Sequence, residues 1–156
     1  MLNAVPKGWF TPDFTILQND VPVADLDLSL WREAAELSVG GEIYQVYREG
    51  MISGAFLLEA KSGVIARADK PHVFLRSFEV EYDGGKYILE AESAMMRKFV
   101  LRNGETEIGS IYPEHAFTSR AIVDLPEEMP LAVRLFLFWL VALMWKRAQT
   151  AKGGAV

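Results

Sequence analysis

The fold turns on the stretch LAVRLFLFWLVALMW, Leu131 to Trp145, which holds one polar side chain, Arg134, in fifteen residues. As a helix it has no solvent face, so it belongs either inside a membrane or inside a protein. Pro126 and Pro130 precede it, with Asp124, Glu127 and Glu128 placed to suit the positive end of its dipole. Lys146 and Arg147 follow it, and a tail fraying from Ala148 to Val156 completes a helix expected over about residues 129–147. A bilayer span needs about 20 apolar residues. Fifteen fall short, although Lys146, Arg147 and Lys152 would flank a tail anchor if the segment were one.

The remainder of the chain supplies what could bury such a helix. Three thirteen-residue windows align: FTILQNDVPVADL (Phe14 to Leu26), FLLEAKSGVIARA (Phe56 to Ala68) and FVLRNGETEIGSI (Phe99 to Ile111), whose starts lie 42 and 43 residues apart. In each, Phe and an aliphatic residue two positions on alternate before a polar turn, at Asn19-Asp20, Ser62-Gly63 and Asn103-Gly104. Alternation flanking turn chemistry reads as a β-hairpin. Further strand-like runs lie between the windows at Leu26 to Leu30, Ile43 to Tyr47 and Tyr87 to Ala91, punctuated by Gly40-Gly41 and Gly84-Gly85, where tight turns need positive φ.

The unit is thus about four strands, repeated nearly three times at a period of about 43 residues. Fifteen to eighteen helical residues span roughly 23 to 27 Å, about the length of a strand of seven or eight residues. Eight strands enclose only side chains, whereas larger cans do enclose a helix. The expectation is a mostly β, antiparallel closed barrel of about 11 to 12 strands around the C-terminal helix, as a single domain over residues 1–156. Arg134 would then sit near a barrel mouth, with Asp124, Glu127, Glu128 or Glu114 as its partner.

Composition narrows the function. The chain has no cysteine, which excludes disulfides, thiolate metal sites and cysteine nucleophiles. Its net charge of −5 gives no drive toward nucleic acid. Residues Met1 to Phe10 do not read as a secretory signal, so a cytoplasmic protein is expected. His72 and His115 are too few for a histidine metal centre, and Glu114-His115 reads as a turn. Neither a phosphate-binding glycine loop nor a nucleophile elbow occurs, and no enzyme activity or cofactor is expected. Trp9, Trp31, Trp139 and Trp145 read as core or barrel-rim residues, and Met95-Met96 as core filling before adaptable surface.

A repetitive barrel around an apolar C-terminal helix resembles the superfamily of tubby C-terminal domains, phospholipid scramblases and LURP-one-related proteins. The likeness is carried by Phe99 to Ile111 and by Asp124 to Trp145. It implies a non-enzymatic binding module, at a lipid headgroup or membrane surface, and a location peripheral to the membrane. The alternative is a structural or regulatory domain that meets a protein partner and takes no small ligand. The chain departs from the superfamily in lacking a dense basic cluster. The closest set is Arg97, Lys98 and Arg102, with Lys98 and Arg102 on the strand face opposite Phe99 and Leu101, and these three are the candidate headgroup-binding residues. Asp124, Glu127 and Glu128 do not form a calcium loop.

Overall fold

The computed structural model describes the chain except for residues 10, 30, 31, 51–53, 71–75 and 154–156. Trp31 and His72, and the end of the Leu26 to Leu30 run, therefore lie outside the described residues. Twelve strands run in order: β1 Leu2–Pro6, β2 Phe14–Gln18, β3 Val21–Ser29, β4 Ala34–Val39, β5 Glu42–Arg48, β6 Phe56–Ala60, β7 Gly63–Asp69, β8 Ser77–Tyr82, β9 Gly85–Ala91, β10 Phe99–Asn103, β11 Thr106–Pro113 and β12 Ala121–Asp124. Each pairs antiparallel with its chain neighbours, and β1 pairs with β12 to close the barrel. Helix α1, Leu131–Gly153, follows.

The three windows are three hairpins of one register. Phe14 faces Leu26, Phe56 faces Ala68 and Phe99 faces Ile111, and each hairpin shifts register after its third residue, at Ile16/Leu17, Leu58/Glu59 and Leu101/Arg102. Strands β2 to β5 and β6 to β9 form the first two four-strand units. The third consists of β10, β11 and β12, and its fourth place is taken by β1, which lies between β12 and β2. The N-terminal strand therefore completes the last unit.

Every strand contributes to a single core together with α1. Room for the helix comes from small inward residues, Ala4, Ala24, Ala35, Ala66, Ala68 and Ala121, all buried. Large helix side chains fill that room: Phe138 meets Phe14 edge-on at 5.1 Å, and Trp139 meets Phe56 at 5.3 Å. Leu135, Phe136, Phe138, Trp139, Leu140, Leu143 and Met144 are all buried. The outward strand positions carry Asp25, Asp27, Glu36, Glu59, Arg67, Glu79 and Glu81, the reverse of the apolar exterior that a lipid-spanning barrel requires.

The helix differs from expectation at both ends. It begins at Leu131, with the carbonyl of Pro130 accepting from Val133 N at 3.0 Å and Arg134 N at 3.1 Å. Asp124 ends β12, and Glu127 and Glu128 precede the helix, so none of the three lies in its first turn. At the other end it continues past Arg147 to Gly153, since Ala148, Gln149 and Ala151 do not oppose helix and no earlier glycine interrupts it. Three turns are also displaced by one residue: Ala60 pairs with Gly63, Tyr82 with Gly85 and Asn103 with Thr106, so Lys61-Ser62, Asp83 (φ 49°)-Gly84 (φ 72°) and Gly104-Glu105 make the turns, while Gly63 and Gly85 open β7 and β9 and Asn103 ends β10.

Arg134 has no hydrogen-bonding partner among the described residues. It is 7% exposed, and its Nε and Nη1 are buried without partners. Burial lowers its pKa, opposed by the more distant charge of Glu127, whose carboxylate instead approaches the N-terminal amine at 3.8 Å. Glu114 lies at the opposite mouth of the barrel. Unsatisfied buried donors cost about 1 to 3 kcal/mol. Arg134→Met is therefore expected to raise stability by about that amount in urea unfolding, and a less stable variant would contradict the geometry.

Candidate functional site at the loop end of the barrel

The two ends of the barrel are built differently. All five two-residue turns, Asn19-Asp20, Gly40-Gly41, Lys61-Ser62, Asp83-Gly84 and Gly104-Glu105, lie at the end where α1 begins. The strand ends joined by the longer connections, 7–13, 30–33, 49–55, 70–76, 92–98 and 114–120, lie at the end where α1 emerges. Loops carried on a rigid barrel are where binding residues concentrate.

Four of these loops share one closure. The amide of the first residue donates to the carbonyl of the seventh: Lys7 to Asp13 at 2.9 Å, Glu49 to Ala55 at 2.7 Å, Glu92 to Lys98 at 2.9 Å and Glu114 to Arg120 at 3.0 Å. Loops 92–98 and 114–120 also share an inner turn, Met96 N to Ser93 O and Thr118 N to His115 O, both 3.3 Å. In loops 7–13, 92–98 and 114–120 the closed base leaves large apolar side chains outside the barrel. Trp9 and Phe117 are 99% exposed and Met95 is 92% exposed. Strand order places loops 92–98, 114–120 and 7–13 side by side, so the three apolar tips come from consecutive loops.

Charge follows the same division. The loops and the emerging helix, 146–153, hold ten lysines and arginines against five carboxylates, whereas the tight turns and residues 125–130 hold five carboxylates against one lysine. A chain of net charge −5 thus has a basic end.

A groove of about 950 Å³ opens at this end between α1, loop 7–13 and loop 114–120. Trp139, Ala142 and Leu143 of α1, with Phe14 and Leu28, line its apolar side, and Arg97, Arg120 and Lys146 stand along it. Arg97 lies over the Trp145 ring at 4.8 Å while Trp145 Nε1 donates to Arg97 O at 2.8 Å, which ties loop 92–98 to the helix. Arg76 holds the same loop through the carbonyls of Ala94 (3.2 Å) and Met96 (2.9 Å).

The three candidate headgroup residues are not brought together. Arg97 is at the groove, where burial lowers its pKa. Lys98 is on the rim and pairs with Glu92 at 2.9 Å, a hydrogen bond that raises its pKa. Arg102 lies roughly 13 Å further along the strand, toward the tight turns, and pairs with Glu90 at 2.8 Å. Phe99 and Leu101 do face the core, but Val100, on the same strand face as Arg102, is also buried.

Other expectations change here. Trp139 is core and Trp145 closes the mouth, but Trp9 projects into solvent, and Met95 and Met96 are exposed instead of filling the core. His115 and Glu114 are exposed in loop 114–120. Among the described residues no cluster of three or more His, Asp or Glu could hold a metal ion, and no helix is long and apolar enough to cross a membrane. A signal for the site was present in the sequence: Lys7/Asp13, Glu92/Lys98 and Glu114/Arg120 each bracket a large apolar residue at six-residue spacing. No family model, curated protein or solved structure matches the chain.

Proposed function

We propose that the protein is a non-enzymatic binding module whose loop end docks on an anionic membrane surface. The observation that carries this reading is the alignment of Met95, Phe117 and Trp9 on three consecutive loops at the basic end. Tryptophan favours the membrane interface, and burying a large apolar side chain fully is worth roughly 1.5 to 3 kcal/mol. Each basic side chain near an anionic leaflet adds about 1 kcal/mol. Stable attachment takes two weak signals, and this end offers both. The resemblance to tubby-like and scramblase-like domains points the same way, and we place the chain as a distant member of that superfamily.

The test is sedimentation with phosphatidylcholine vesicles containing phosphatidylserine. The protein is expected to bind at low ionic strength and to be released near about 0.5 M salt, where screening shortens to a few ångströms. Trp9→Ser with Phe117→Ser should weaken retention at least tenfold with an unchanged melt, since both side chains are exposed. Lys98→Glu with Arg102→Glu should matter much less, because both cations are already paired. If no vesicle retains the protein at any salt concentration, the apolar tips are better assigned to a protein partner.

A further inference from the structure

The groove beside α1 raises a question that docking of the loop tips does not answer. Among the described residues that line it the single carboxylate is Glu33, and Glu33 is already engaged by Arg48 at 2.9 Å and Arg147 at 2.6 Å. Its arginines are not so engaged. Arg97 donates from Nη1 to Ala116 O at a long 3.4 Å and lies over the Trp145 ring, but it has no carboxylate partner among the described residues; neither has Arg120. Two cations without counter-charge therefore stand beside an apolar wall formed by Phe14, Leu28, Trp139 and Leu143. Burial also disfavours the charged form of Arg97, a cost that an incoming anion would offset.

We infer that this groove binds one single-chain anionic amphiphile, its hydrocarbon along the α1 wall and its headgroup between Arg97 and Arg120. Charge complementarity selects the class: the headgroup must be anionic, and the wall demands hydrocarbon. The volume lies at the upper end of the range of small-ligand sites, about 300 to 1,000 Å³. Arginine suits either headgroup that meets the requirement, a carboxylate or a phosphate, since its planar fork grips both. The site needs no bilayer, so it stands or falls independently of membrane docking.

Trp139 and Trp145 make a direct measurement available. In a Trp9→Phe, Trp31→Phe background, which leaves Trp139 and Trp145 as the emitters, mid-chain-brominated octadecanoic acid, a brominated lysophosphatidate and a brominated monoacylglycerol are titrated below their micellar concentrations, with quenching of tryptophan emission as the readout. Saturable quenching by the acid or by the lysophosphatidate supports the site, and the tighter of the two names the headgroup. The uncharged ester should bind at least tenfold more weakly. Arg97→Gln and Arg120→Gln should each weaken the charged probe about tenfold, and Arg102→Gln should not. Arg120 is exposed and its side chain makes no hydrogen bond or ion pair among the described residues, so its variant tests the inference even if Arg97→Gln folds poorly. Equal quenching by all three probes, no quenching by any, or indifference to Arg120→Gln would overturn it.

Discussion

A chain ending at Met129 is expected to show no cooperative melt. The deletion removes Phe136, Phe138 and Trp139, all buried to within 1% of completely, together with the aliphatic side chains around them. Each large side chain contributes roughly 1.5 to 3 kcal/mol of burial, against a total stability of about 5 to 15 kcal/mol for a domain. Loss of these few already exhausts that total. The strands cannot compensate by closing inward, because Ala4, Ala24, Ala35, Ala66, Ala68 and Ala121 face the vacated space and are too small to fill it. Circular dichroism during urea titration is the readout. A truncated barrel with a sigmoidal transition would mean that the helix is an appendage and not the core.

Much of this architecture was legible because it depends on local patterns. A segment apolar on every face can only be buried, and the three Phe-x-aliphatic windows announce hairpins whose partners are close in sequence. Frame and extent were harder. Both Asp83-Gly84 and Gly84-Gly85 are chemically suited to positive φ, so only the pairing of Tyr82 with Gly85 decides between them. Lys146 and Arg147 resemble a helix end, yet they are equally at home within a helix, and α1 runs on as it leaves the barrel.

The site was less legible, because it depends on cross-strand neighbours. Lys98 and Arg102 look like a basic face when read along one strand; the carboxylates that neutralise them, Glu92 and Glu90, come from the adjoining chain segment through the barrel register. Arg134 is close in sequence to Glu127 and Glu128 but does not hydrogen-bond either. Trp9 and Met95, apolar in a chain rich in core residues, default to the interior, yet their closed loops leave them outside the barrel.

The absence of cysteine makes docking through the basic loop end directly measurable. Single cysteines at positions 9, 117 and 86, made as Trp9→Cys, Phe117→Cys and Lys86→Cys, can each carry an environment-sensitive nitrobenzoxadiazole label. Positions 9 and 117 are loop tips, whereas Lys86 lies beside the Asp83-Gly84 turn at the opposite end. With phosphatidylserine-containing vesicles, emission is expected to rise several-fold and shift to the blue at positions 9 and 117, and to return toward the free value as salt is added. Position 86 should not respond. Equal responses at all three positions, or a response only at position 86, would contradict docking through the loop end.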